Sequence, residues 1–137
     1  MNSLKAASIS KTYSIDGHNI EVLRNLNLLI NKGDTVAISG QSGSGKSTLL
    51  QILALLDKQS SGTVELNGKA VGHLSANKKS QIRLNNFGFV YQHHHLLEDL
   101  TVYENIALPL QLKGDLVNLD TKVRDLAKSI GLIERLN

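Results

Sequence analysis

Lys46 sits within Gly40-Gln41-Ser42-Gly43-Ser44-Gly45-Lys46-Ser47-Thr48, a run whose glycines, hydroxyls and single cation are spaced to grip a chain of phosphates. Gly40, Gly45, Lys46 and Ser47 fill the fixed places of the G-x-x-x-x-G-K-[ST] pattern. Each residue type has its own task. Glycines let the backbone curl around an anion, so that successive N–H groups, those of Gln41, Ser42, Gly43 and Ser44 included, point inward at oxygen. A helix opening at about Lys46 adds its unpaired N-terminal N–H groups and the positive end of its dipole. Lys46 brings a mobile charge to the outer phosphates, the Ser47 hydroxyl suits Mg²⁺, and Thr48 is a further hydroxyl within reach. A solvated Gly/Ser loop with an ordinary helix cap is the competing reading. The β-branched run Thr35-Val36-Ala37-Ile38 before the loop and the apolar segment Leu49 to Leu56 after it favour phosphate binding.

Other side chains offer chemistry at a distance along the chain. Tyr13 reads either as a strand-end aromatic packed on a core or as a flat platform for a purine. Gln92 ends the short β-leaning run Gly88-Phe89-Val90-Tyr91. A glutamine there is ordinarily solvated. Beside a phosphate loop, however, the end of a strand is where ligand groups collect, and an amide carbonyl there suits Mg²⁺ or an attacking water. His93-His94-His95 invites a metal, but consecutive side chains diverge, and neither a cysteine nor a nearby acidic cluster completes a zinc set. A partner-contact loop is the better reading of that stretch.

Positioning such a site requires a sheet and helices around it. Leu4 to Ser10 and Ile20 to Ile30 lean to strand, with Asp16-Gly17 as a turn signal between them, and Leu26, Leu28 and Ile30 alternate with polar residues apart from Leu29. Lys46 to Asp57 is apolar nearly all round, which predicts a buried helix. Thr63 to Leu66 precedes Asn67-Gly68, a strong hairpin signal. Ser75 is placed to cap a helix running to about Leu84. Thr101-Val102-Tyr103-Glu104 is a capping box, and Pro109 should kink or end the helix that follows. Lys113 to Asn118 reads as a polar linker. Leu119, Val123, Leu126, Ala127 and Ile130 then form the apolar stripe of a final helix, with Gly131 placed to terminate it.

Composition narrows the class. An apolar fraction of 41% with 20% charged residues over 137 residues is that of a globular domain or a piece of one. The net charge of +3 is spread rather than clustered, and aromatics make up 4%, so nucleic acid gains no support as a partner. Cysteine is absent, which leaves no disulfide framework and no thiolate chemistry. No apolar run approaches the roughly 18 residues of a membrane span, and the first residues lack a secretory plan. The expected location is cytosolic or on the cytoplasmic face of a membrane.

Together these stretches resemble the nucleotide-binding subunit of ABC transporters. Ser42 to Leu50 is similar to that family's Walker A segment, Gly88 to Gln92 to the strand that ends in its Q-loop glutamine, and Tyr13 stands where its adenine-stacking aromatic stands. The resemblance implies an α/β P-loop NTPase fold of the ABC ATPase type, with an antiparallel β portion and a partly parallel core sheet, truncated before the signature motif. Residues 1–137 would be the N-terminal part of that domain, with the phosphate loop at 40–48, the Q-loop region at 88–97 and a helical region at 101–137. It further implies ATP and Mg²⁺ as cofactors, Ser47 and Gln92 as metal ligands, Gln92 in a catalytic role, and Tyr13 stacked on adenine. Implied partners are membrane-spanning permease subunits, met by His93 to Leu97 and the helix after Thr101, and a second copy in a homodimer. The implied location is peripheral, on the cytoplasmic face of the inner membrane.

Within the family, Tyr91 to Leu97, Leu100-Thr101 and Glu104 to Leu110 look most like the ATPases of lipoprotein-releasing systems. Macrolide-exporter and cell-division subunits share much of the pattern. Glu98 departs from the usual proline, and Ala54-Leu55 replaces a frequent glycine pair. The family's signature Leu-Ser-Gly-Gly-Gln, its apolar strand ending in Asp-Glu and its switch histidine do not occur through Asn137. The expectation is a fragment that binds nucleotide weakly and hydrolyses it negligibly. A non-hydrolysing, nucleotide-dependent interaction module is the alternative.

Overall fold

The computed structural model describes residues 3–92 and 95–137, in two compact units, Met1–Arg83 and Leu84–Asn137. In the first unit, β1 (Ser3–Ile15) and β2 (His18–Asn31) form a long antiparallel hairpin. Its tip is the expected Asp16-Gly17 turn, with φ 51° and 78°, the left-handed pair that matches strand twist. β3 (Ser61–Leu66) and β4 (Lys69–Ala70) make a second hairpin around Asn67-Gly68, and the sheet runs β2-β1-β3-β4.

β1 is not a regular strand. Ala6 and Ile9, three residues apart, are both buried, although a two-residue repeat sends them to opposite faces. A bulge reconciles them. Ser8 adopts φ 50°, the pairing with β2 slips between Ala6 and Ile9, and the Ser8 N–H donates to Asn27 Oδ1 at 2.9 Å. Across the sheet Gly62 makes room for the bulge. A Cβ there would stand 2.3 Å from the Ser8 carbonyl oxygen.

Helix α1 (Lys46–Leu53) covers the inner face of the sheet and packs on β2. Ile9, Ile52 and Val64 are fully buried, with Leu23, Leu49, Leu53 and Leu55 beside them. The helix is shorter than its apolar run predicts and is buried on one side: Leu50 is exposed, as is Leu56 beyond its end. It closes on a Schellman motif, with Leu55 N–H donating to the Ile52 carbonyl and Leu56 N–H to that of Gln51. Leu55 holds the left-handed position, φ 60°, where glycine is usual. α2 (Ala76–Asn86) starts directly after Ser75 and buries no residue.

The second unit is built on α3 (Val102–Lys113) and α4 (Leu119–Ser129), followed by a 3₁₀ turn at Ile133–Arg135. Ala107, Val123, Ala127 and Leu136 form its buried centre. The Thr101–Glu104 capping box is present. Pro109 does not end α3, which runs on to Lys113 and stops at Gly114, φ 73°. Proline removes one N–H and one helical bond, and Ile106, Ala107 and Leu110 packed in the unit's core hold the helix together around it. Leu126 and Ile130 of the expected stripe are exposed.

The α/β composition stands, but among the described residues every strand pairing is antiparallel, and neither Thr35–Ile38 nor Gly88–Tyr91 joins a ladder. A parallel strand is stable when both its edges and both its faces are covered. Here Val36 is half exposed and Val90 fully so. Among the described residues, no helix is long and apolar enough to cross a membrane.

Candidate functional site

The glycine-rich loop delivers the chain into α1 through Gly45, whose φ of 88° places it in the left-handed region. No side chain caps this end, and the first turn carries no acidic residue. The first helical bond runs from Leu49 N–H to the Gly45 carbonyl at 2.9 Å. The amides of Lys46, Ser47 and Thr48 therefore precede the helical ladder and have no carbonyl one turn back to receive them. Two glycines are required by contact as well as by conformation. A Cβ on Gly45 would stand 2.9 Å from both the Val22 carbonyl oxygen and Leu23 Cδ2, and one on Gly40 would stand 2.8 Å from Ser44 Oγ.

Lys46 folds back over its own loop. Its ammonium donates to the carbonyls of Gly40 at 2.8 Å and Gln41 at 2.7 Å, while Ser44 N–H closes a turn onto the Gln41 carbonyl. Ser42, Gly43, Gly45, Lys46, Ser47 and Thr48 line a cleft of about 480 Å³, walled by Val22 of β2. Amide donors, three hydroxyls, one mobile cation and the positive end of a helix dipole converge on this space. That donor set fits the oxygens of a phosphate chain, with Ser47 able to hold a Mg²⁺ bound between them. Val22 was not legible as part of the site. Its signal is indirect, since only a tightly packed neighbour makes Gly45 obligatory.

Tyr13 does not line this cleft. It is half-buried on β1, where its hydroxyl donates to Asp57 Oδ2 at 2.8 Å and Lys11 Nζ lies 4.5 Å above its ring. Lys11 is itself buried, donating to Asp57 Oδ1 at 2.8 Å and to the Lys58 carbonyl at 2.7 Å. Partial burial pushes the Asp57 carboxyl up. Hydrogen bonds from Lys11, Tyr13 and the Lys58 N–H, with the Lys11 charge, outweigh that and hold it below the usual aspartate value. Sequence reasoning missed Lys11 and Asp57, which are separated by most of the hairpin and all of α1.

Gln92 belongs to the second unit, where it is exposed at a bend. The chain leading to it is extended, and Phe87, Phe89 and Tyr91 stack along one side at centroid spacings of 6.1 and 5.7 Å. That two-residue repeat is strand geometry without a ladder. His93 and His94 lie outside the described residues. His95 meets the edge of the Tyr91 ring at 4.9 Å, and Leu96 and Leu97 are exposed. Asn105, which sequence reasoning passed over, pins this loop to α3: it accepts from Leu97 N–H and donates to the carbonyls of Leu97, Leu100 and Thr101. Among the described residues, no group of three or more His, Asp or Glu side chains is placed to hold a metal.

Comparison with known proteins places this geometry in context. The sequence pattern of the family described as ABC transporter matches residues 23–137. The lipoprotein-releasing system ATP-binding protein LolD of Wigglesworthia glossinidia brevipalpis is 42% identical, over 98% of this chain and 59% of that protein. The macrolide export ATP-binding/permease protein MacB of Pectobacterium atrosepticum is 40% identical, over 98% of this chain and 21% of its own length. Among solved structures, the dimeric bacterial ABC transporter cassette MJ0796 superposes with a TM-score of 0.77 at 40% identity, covering 80% of this chain and 47% of that one. The same cassette is known as a post-hydrolysis dimer bound to ADP and Pi, with equal similarity. The chain thus spans about three fifths of the length of the LolD relatives it matches.

Proposed function

The chain belongs to the ABC transporter family, and we propose that it supplies the phosphate-gripping portion of an ATP-binding subunit that drives a membrane permease by ATP hydrolysis. The observation that carries this reading is the cleft at the start of α1, where the amides of 45–48 and the Lys46 ammonium converge. Residues 40–48 hold the phosphates and Tyr13 stacks on adenine, while Ser47, and Gln92 by the family resemblance, would each be a ligand for Mg²⁺. Lys46 exchanges the carbonyls of Gly40 and Gln41 for phosphate oxygens, trading two neutral acceptors for charged ones. Bound Mg²⁺ would neutralise charge developing on the transferred phosphoryl group. Gln92 orients the attacking water.

Similarity to LolD over nearly all of this chain supports lipoprotein release from the inner membrane as the transport reaction of the whole protein. The partners are then permease subunits, met by the loop that Asn105 pins, and a second copy of the subunit. In the dimer each copy contributes to enclosing the nucleotide. Val36 and Val90, exposed in segments that pair with nothing among the described residues, are the positions where further strands of the complete domain would add.

Calorimetric titration with ATP, ADP and AMP tests the core of this reading. ATP and ADP should bind and AMP should not, because the grip is on the outer phosphates. AMP binding as tightly as ATP would overturn it. Turnover by the 137-residue chain should be negligible beside that of the full reading frame, and equal rates would overturn the division of labour.

A further inference from the structure

The pair Lys11–Asp57 is the most buried ion pair among those described, with side-chain exposures of 11% and 28%. It does not line the phosphate cleft, and the side-chain hydrogen bonds of the pair end on each other, on Tyr13 or on the backbone that follows α1. Asp57 Oδ2 accepts from the Tyr13 hydroxyl, and its Oδ1 accepts from Lys11 and from the Lys58 N–H. The Asp57 N–H donates to the carbonyl of Gln51, inside α1. The next residues are sewn to β1 as well: Ser60 N–H donates to the Ser10 carbonyl, and the Ser60 hydroxyl accepts from Thr12 N–H. A continuous chain of bonds therefore runs from the Tyr13 ring through Asp57 to the helix whose other end opens the phosphate cleft.

We propose that Asp57 and Lys11 are positioning residues that fix the Tyr13 ring relative to the phosphate grip, so that α1 sets the span between base platform and phosphates. The inference rests on the reading of Tyr13 as the adenine platform. Lys11 takes one face of the ring, so a base would stack on the other, and the cation together with the bond at the hydroxyl holds the ring against rotation about its side-chain bonds. A tyrosine held at its hydroxyl and on one face is ordered before the base arrives, so less side-chain freedom is lost on binding. Charge also explains why an aspartate and a lysine are used together. A carboxylate offers two acceptor oxygens, one for the ring's hydroxyl and one for the ammonium, and the ammonium balances it in a half-buried place.

The test compares ATP with inorganic tripolyphosphate, which carries the phosphates and no base, by calorimetry on the parent chain and three variants. Tyr13→Phe removes only the hydroxyl, Asp57→Asn leaves one acceptor oxygen where there were two, and Tyr13→Ala removes the platform. The expected result is a threefold to tenfold loss of ATP affinity in Tyr13→Phe and in Asp57→Asn, with tripolyphosphate affinity unchanged in both. A general loss of folding would weaken both ligands together, and that outcome in the conservative Tyr13→Phe variant overturns the positioning role. So does parental ATP affinity in Tyr13→Phe and Asp57→Asn when Tyr13→Ala is weakened, an outcome in which stacking survives and the tether does not. If Tyr13→Ala itself binds ATP as the parent does, the platform reading fails and the positioning role falls with it. Should Asp57→Asn not fold, Tyr13→Phe decides alone.

Discussion

The ammonium of Lys46 donates to the carbonyl oxygen of Gly40, six residues earlier, at 2.8 Å, so the charge meant for a ligand closes its own loop first. Removing it affects both states. Lys46→Ala should lower ATP affinity about 10-fold to 100-fold, the worth of one or two hydrogen bonds to a charged group, while the fold survives because the Lys46 side chain is not buried and its ammonium bonds only to carbonyls of its own exposed loop. Calorimetry checks the first statement and circular dichroism the second. Unchanged affinity would mean that another cation serves the phosphates.

Gly45 is expected to be less replaceable than Lys46. Alanine at φ 88° is strained, and its Cβ would be driven to within 2.9 Å of the Val22 backbone and the Leu23 side chain. Gly45→Ala should cost on the order of 1–3 kcal/mol, read as a shifted urea midpoint, and should also weaken ATP binding because the start of α1 must move. An unshifted midpoint would show that the loop relaxes freely.

Leu55 reverses a common ranking. It is 3% exposed and holds φ 60°, so burial favours the leucine while its backbone opposes it. Leu55→Ala loses the burial and keeps the strain, whereas Leu55→Gly loses the burial and relieves the strain. The glycine variant should therefore be the more stable of the two by about 1 kcal/mol, although glycine is ordinarily the weaker residue near a helix. Chemical denaturation of both variants decides the order.

Asp57 should make the first unit acid-labile over a defined interval. Its carboxyl titrates lower in the folded chain than in the unfolded one, so the unfolded chain binds the proton first. The stabilisation is complete above the unfolded value near 3.9 and is lost as pH falls through the lower, folded value. Thermal midpoints of the parent and Asp57→Asn should differ most at neutral pH and converge below about pH 4. A constant gap down to pH 2 would contradict the assignment.

Much of this was legible because it is local. Asp16-Gly17, Asn67-Gly68, the Thr101–Glu104 box, Gly131 and the helix start after Gly45 each declare themselves within a few residues, and each forms the local backbone feature expected of it. What escaped notice depends on residues far apart. Thr35–Ile38 and Gly88–Tyr91 have strand composition, yet a strand is made by its neighbours, and no neighbour is present among the described residues. Leu50 looks like core and is exposed because one helical face, not the whole circumference, meets the sheet, and Leu56 is exposed because the helix has already ended at Leu53. Nothing in the residues next to Lys11 marks it as buried. Its partner at Asp57 is reached only after the chain has gone out along one hairpin and back through a helix.

The bulge at Ser8 carries a consequence in the arithmetic of the first strand. Counting inward from Ala6 by twos gives Ser8, Ser10 and Thr12, none of them buried, but the extra residue resets the count to Ile9, Lys11 and Tyr13, of which Ile9 and Lys11 are buried and Tyr13 half-buried. The two side chains that hold Asp57 thus owe their orientation to an odd number upstream rather than to anything near them. A one-residue insertion or deletion between Ala6 and Ile9 that leaves the strand paired would turn both outward, uncoupling the tyrosine from its anchor while every residue of the phosphate loop stayed in place. On the proposed reading of Tyr13 as the adenine platform, a chain one residue longer or shorter here would lose affinity for ATP while keeping that for bare tripolyphosphate.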